Sequence, residues 1–135
     1  MNAIQPPVFL RKLLFSGALL LVLGAFSSCT SVQVTGDDKV IGEYKIGYLY
    51  VKPTQPLDRV REATKKAFKD LGYLQVGDDE ATPGETELQA RDSHDTLITV
   101  KLKDFTAYTN VKIHCGVMGD LAHSQQIYQA IERHF

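Results

Sequence analysis

Ile98-Thr99-Val100-Lys101-Leu102-Lys103 runs apolar, polar, apolar, polar, apolar, polar. Successive side chains of an extended chain point to opposite faces, so this period of two puts Ile98, Val100 and Leu102 on one side and Thr99, Lys101 and Lys103 on the other. A strand of that kind buries one face and leaves the other in water, as antiparallel sheets with a single covered side do. The flanking segments repeat the pattern. Thr86, Leu88 and Ala90 alternate with Glu85, Glu87, Gln89 and Arg91, and Val111, Ile113, Cys115 and Val117 alternate with Lys112, His114 and Gly116. Turns at Asp92 to Asp95 and Asp104 to Thr109 would join the three into a meander.

Upstream, Tyr44 to Lys52 is rich in aromatic and β-branched residues and is read as one first strand. On that reading Tyr44, Ile46, Tyr48 and Tyr50 share one side, opposite Lys45, Gly47, Leu49 and Val51. Pro53 and Pro56 end it, with Pro56 suited to the first helical position. Leu57, Val60, Thr64, Ala67, Phe68 and Leu71 recur at helical spacing, and Gly72 closes that helix. A short strand, Tyr73 to Val76, leads into the acidic loop or hairpin turn from Gly77 to Gly84. The last helix starts near Asp120 as N-cap, with Leu121, Ser124, Ile127, Tyr128 and Ile131 on one stripe. The predicted order is β-α-β-β-β-β-α. Two helices must cover the single apolar face of a mostly antiparallel sheet, which is an α+β two-layer sandwich.

The N-terminal part has a different composition. Arg11 and Lys12 precede an apolar run from Leu13 to Phe26, and Ser27-Ser28-Cys29 follows. The run is shorter than the ~20 residues that span a bilayer, and it resembles a bacterial lipoprotein signal peptide ending in its lipobox. A thiolate is the side-chain nucleophile suited to taking an acyl-bearing group from a phospholipid, and small residues before it let a peptidase fit the extended chain. Phe26 departs from the usual Leu at that position. By this resemblance residues 1–28 are a signal peptide, Cys29 becomes the lipidated first residue, residues 29–42 form a polar tether, and residues 43–135 form one domain. Thr30, rather than Asp, after the cysteine implies the outer membrane, periplasmic face.

The whole chain carries 15 Lys and Arg against 16 Asp and Glu. Without the two leader charges the net charge is near −3, an ordinary soluble surface without the basic excess of a nucleic-acid binder. Acylation of Cys29 would leave Cys115 with no disulfide partner in the chain.

From Tyr44 to Ile131 the sequence resembles a family of small bacterial lipoproteins known only as a domain of unknown function. The resemblance is carried by Tyr44, Gly47 and Leu49, by Val60, Ala63, Ala67 and Leu71-Gly72, and by Gly116-Val117-Met118-Gly119-Asp120 with Ser124, Ile127 and Ile131. It implies location and fold class, and brings no reaction, substrate or cofactor.

Residues that could carry chemistry do not form a recognisable constellation. Asp92, Ser93, His94 and Asp95 have the residue types of a hydrolase triad, but triad members converge from separated parts of a chain, and a turn capping its own backbone is the simpler reading. His94, His114, His123 and His134 show no metal-ligand spacing, Asp78, Asp79 and Glu80 lack that of a calcium loop, and Gly116 and Gly119 match no phosphate loop. No cofactor or metal is expected. Two functional classes follow: a non-catalytic binding or structural module meeting an envelope protein, peptidoglycan or a small ligand, or a small envelope hydrolase or metal-dependent enzyme using His and acidic residues. For the first class the expected contact surface is an aromatic strip of Tyr44, Tyr48 and Tyr50, open to strand addition.

Overall fold

The three alternating segments form the strands that their period predicts. A computed structural model describes residues 30–34, 41–77 and 80–135. Strands β1 (Thr30–Gln33), β2 (Ile41–Lys45) and β3 (Tyr48–Val51) are followed by helix α1 (Leu57–Asp70). Then come β4 (Leu74–Gln75), β5 (Glu80–Thr82), β6 (Glu85–Arg91), β7 (Leu97–Phe105), β8 (Tyr108–Cys115) and helix α2 (Leu121–Glu132). All pairings are antiparallel, in the order β1-β2-β3-β8-β7-β6-β4, with β5 on the same edge of β6 as β4. The fold is an α+β sandwich with more strands than the alternation alone announces.

The registers turn alternation into layers. Leu88, Val100, Ile113 and Leu49 lie opposite one another across β6, β7, β8 and β3. Thr86, Leu102, Val111 and Val51 make the next inward row. These residues are buried under Val60, Ala63, Thr64, Ala67 and Phe68 of α1 and Ser124, Ile127, Tyr128, Ala130 and Ile131 of α2. Each well-buried aliphatic or aromatic side chain contributes about 1.5–3 kcal/mol by leaving water, so the apolar rows hold the two layers together.

The helix ends also follow from local chemistry. The Asp120 carboxylate accepts the His123 N–H at 3.0 Å and caps α2. Pro56, expected at the first helical position, is instead the N-cap of α1, one place before the first helical residue, Leu57. Gly72 takes φ 70°, and the Tyr73 N–H reaches back to the Phe68 carbonyl at 2.8 Å, closing α1 with a left-handed turn.

Three expectations are corrected. Residues 44–52 are not one strand but two, folded back at Ile46-Gly47 with φ 51° and 77°, the signs that a two-residue type I′ hairpin turn requires. Because Lys45 pairs with Tyr48 across this turn, side-chain parity flips there. Tyr44 pairs with Leu49 and packs against the core, whereas Tyr48 and Tyr50 face outward. With β2 on one side and β8 on the other, β3 is not open to strand addition. Second, Val117 does not continue β8: Gly116 turns the chain with φ 69° and leaves Val117 exposed. Third, the stretch expected as a tether supplies β1, paired to β2 from Thr30↔Tyr44 to Gln33↔Ile41. Gln125 and Gln129 of α2 donate to the Gln33 and Val34 carbonyls at 2.8 and 3.1 Å, and Val34 is fully buried. The leader, Cys29, the Asp37-Asp38-Lys39 segment and Asp78-Asp79 lie outside the described residues.

Candidate functional site

The outer face of the sheet is where residues from several strands meet without being consumed by the core. Gln89, Thr99, His114, Tyr48 and Lys45 form one outward row, and Glu87, Lys101, Lys112, Tyr50 and Glu43 the next. Lys45, Glu43 and Lys101 are exposed, and the others are half-buried because neighbouring long side chains cover one another. At the β3–β8 end, the Tyr48 ring stacks on His114 with centroids 4.3 Å apart, and Lys112 Nζ sits 3.9 Å from the Tyr48 centroid and 5.4 Å from that of Tyr50. An ammonium over a ring is attracted by the negative face of the π-system. His114 Nδ1 lies 2.8 Å from the Gly47 carbonyl oxygen, which holds the imidazole flat against the tyrosine. Tyr48, Tyr50, Lys112 and His114 thus form a preorganised aromatic and cationic patch.

Toward β6 the same face becomes a charge ladder. Lys101 and Glu87 pair at 2.6 Å, and Lys103 and Glu85 at 3.3 Å. Hydrogen bonds from Lys101 and Gln89 hold the Glu87 carboxyl below its ordinary pKa. A shallow cleft of about 230 Å³ lies here, lined by Thr82, Glu85, Thr86, Glu87 and Lys101. A second, of about 340 Å³, borders Tyr50 with Ser31, Glu43 and Lys52. At the other face's rim, Lys52, Gln55, Tyr128 and Phe135 line an open cleft of about 440 Å³.

The histidines are dispersed. His94 sits in an exposed turn in which Asp92 Oδ1 accepts the His94 and Thr96 N–H groups at 2.8 and 2.9 Å, so the Asp92–Asp95 segment caps its own backbone. His123 Nε2 meets the Tyr73 hydroxyl at 2.7 Å, and His134 meets Asp70 at 2.6 Å. Among the described residues no group of three or more His, Cys, Asp and Glu side chains is gathered as a metal site. No helix among them is long and apolar enough to cross a membrane. Cys115 is buried beside Ser124 Oγ at 3.4 Å, and burial pushes its thiol up to about 11.

Of the three tyrosines expected to share a surface, the structure brings Tyr48 and Tyr50 together, with ring centroids 6.3 Å apart, and sends Tyr44 inward. Desolvation, with the nearby Asp120 charge adding to it, raises the Tyr44 phenol pKa. Lys112 and His114 complete the patch. The signal for them was the polar phase of the β8 alternation, which placed both on the outer face without revealing that Tyr48 and Tyr50 lay beside them.

The family model described as "Protein of unknown function (DUF3568)" matches residues 12–134. The chain belongs to this family. The match spans the described domain to His134 and extends upstream through the apolar run and Cys29. No curated protein matches the chain.

Proposed function

We propose that this DUF3568 protein is a lipid-anchored protein of the bacterial envelope, held at the periplasmic face of the outer membrane by acylated Cys29. Its folded domain acts as a non-catalytic binding or structural module. The observation that carries the reading is the basic pair Arg11-Lys12, the apolar run Leu13 to Phe26, and Ser27-Ser28-Cys29 immediately before the first residue of β1. A strand that includes Thr30, the next residue after the cysteine, suits a domain held close to the bilayer, and two or three acyl chains anchor stably where one is marginal.

The contact surface is the patch of Tyr48, Tyr50, Lys112 and His114. Tyrosine offers large contact area at low conformational cost, and the stacked His114 and overlying Lys112 fix the rings before a partner arrives. An envelope protein or a peptidoglycan strand with acidic groups would match its chemistry. The test joins metabolic labelling with a palmitate analogue to in-cell crosslinking of the tagged protein. Wild type should incorporate label and capture a partner, Cys29→Ala should lose label, and Tyr48→Ser with Tyr50→Ser should keep label and lose the partner. A labelled wild type whose capture survives the tyrosine substitutions refutes the patch; an unlabelled wild type refutes the anchor.

A further inference from the structure

Ile46, Val117 and Met118 are the most exposed large hydrophobic residues described, at 84%, 95% and 87%. They come from two separate connections, the β2–β3 turn and the β8–α2 loop, yet they occupy one end of the sheet. The loops touch. A Cβ on Gly47 would lie 2.6 Å from the Met118 carbonyl oxygen, and one on Gly119 would collide with the Gly47 backbone. Glycine at both positions lets the loops close against each other, and the His114–Gly47 contact fastens the turn to β8. Leu97, 36% exposed, lies at the same end, its carbonyl accepting the Gly116 N–H at 2.8 Å.

Ile46 is strained as well as exposed. A β-branched residue at φ 51° is an outlier in a position that Asn or Gly would fill without difficulty, and no packing in the core explains it. The chain also enters the domain at this end. Thr30 pairs with Tyr44, two residues before Ile46, so β1 starts where the hairpin turn lies. Thr30, the residue that follows Cys29 in the sequence, therefore lies at the end of the sheet that carries Ile46 and Met118. Lys45, exposed and flanking the turn, can direct its ammonium to lipid phosphates while its stem follows the apolar tip.

We infer that Ile46, Val117 and Met118 form a tip that dips into the headgroup and acyl boundary of the bilayer holding Cys29, so that the sheet stands end-on to the membrane. The inference rests on the anchor reading. Its occupant is phospholipid because Thr30, next in sequence to the acylated cysteine, lies at the same end of the sheet as the tip. Apolar groups at this depth add buried area to an existing anchor, so their effect is to fix orientation.

The sequence contains no Trp, so single reporters can be introduced. Met118→Trp places one at the tip, and Ala107→Trp places one in the exposed β7–β8 turn at the opposite end. Each full lipidated chain is reconstituted in vesicles of phosphatidylethanolamine and phosphatidylglycerol, a fraction of them brominated near the headgroup. Met118→Trp emission should shift to the blue and be quenched several-fold more than that of Ala107→Trp, and adding Ile46→Asn and Val117→Ser should reduce the difference. Mass spectrometry of the same preparation reports acylation. Acylated Cys29 with equal or absent quenching overturns the docked tip and leaves the anchor standing; unmodified Cys29 overturns the anchor and the tip together.

Discussion

Tyr128→Phe should make this protein more stable. Tyr128 is fully buried in the core face of α2, and its hydroxyl has no hydrogen-bond partner. A buried hydroxyl that has lost water without gaining a partner costs about 1–3 kcal/mol. Removing it keeps the ring and its edge contact with Phe135 at 6.5 Å, and leaves a gap of about one oxygen atom, for which the cavity cost of ~24 cal/mol per Å³ amounts to a few tenths of a kcal/mol. The net expectation is a gain of ~1–2 kcal/mol, or a Tm higher by roughly 5–15 °C for a domain of this size. The assay is urea unfolding followed by far-UV circular dichroism at neutral pH, with an unchanged slope. Alkali supplies a second arm. Burial raises the phenol pKa well above its ordinary 10.0, so the unfolded chain ionises first and the wild type loses stability as pH climbs past 10. Tyr128→Phe should lack that share of the decline. A variant less stable by 1 kcal/mol or more, by the order of a made hydrogen bond, would mean that the hydroxyl is bonded and that the cleft beside Lys52 and Phe135 reaches it.

Three further outcomes are expected. Phe68→Ala, deep in the α1 stripe, should cost ~3–5 kcal/mol in the same melts, whereas exposed Lys69→Ala should change stability by no more than about 0.5 kcal/mol; equal losses would reverse the assigned helix face. The Cys115 thiol is pushed up from 9.0 to about 11, so the unfolded state ionises first and stability should fall by ~2–3 kcal/mol between those values. Cys115→Ala should remove that share of the fall in pH-dependent denaturation, most visibly between pH 9 and 10, below the onset of tyrosine ionisation, and an unchanged slope there would show that the thiol is not the titrating group. Ile46→Asn should raise stability by about 1 kcal/mol, because Asn accepts the left-handed turn conformation that Ile resists; a loss in thermal melts would place the Ile46 side chain in a stabilising contact.

The strands of the meander were legible because each has one wet face and one dry one, and the helices because their apolar stripes and end signals, Asp120 and Gly72, agree. The N-terminal hairpin was not. Its turn is Ile46-Gly47, and Ile continues the apolar alternation straight through a reversal that Asn-Gly or Asp-Gly would have announced. A two-residue turn inverts parity, so that single miss moved Tyr44 to the wrong side and hid the meeting of Tyr48 with His114. Val117 was misread for a related reason: it keeps the period of β8, and only the backbone of Gly116 shows that the strand has ended. Strand β1 has too polar a sequence to declare itself, and depends on pairing with β2 and on the two glutamine clasps from α2.

Those clasps bear on how the domain withstands force. A load applied through the N-terminus and directed away from the sheet end pulls β1 along its own axis. The rungs from Thr30↔Tyr44 to Gln33↔Ile41 then resist in shear, all together, instead of opening one at a time as in a peeled strand. Gln125 and Gln129 hold the far end of β1 to a helix, and buried Val34 would have to leave the core before the strand could slide. The first described element is thus built as a strain-relief fitting, able to take tension from the chain that precedes it without unravelling the sheet behind it.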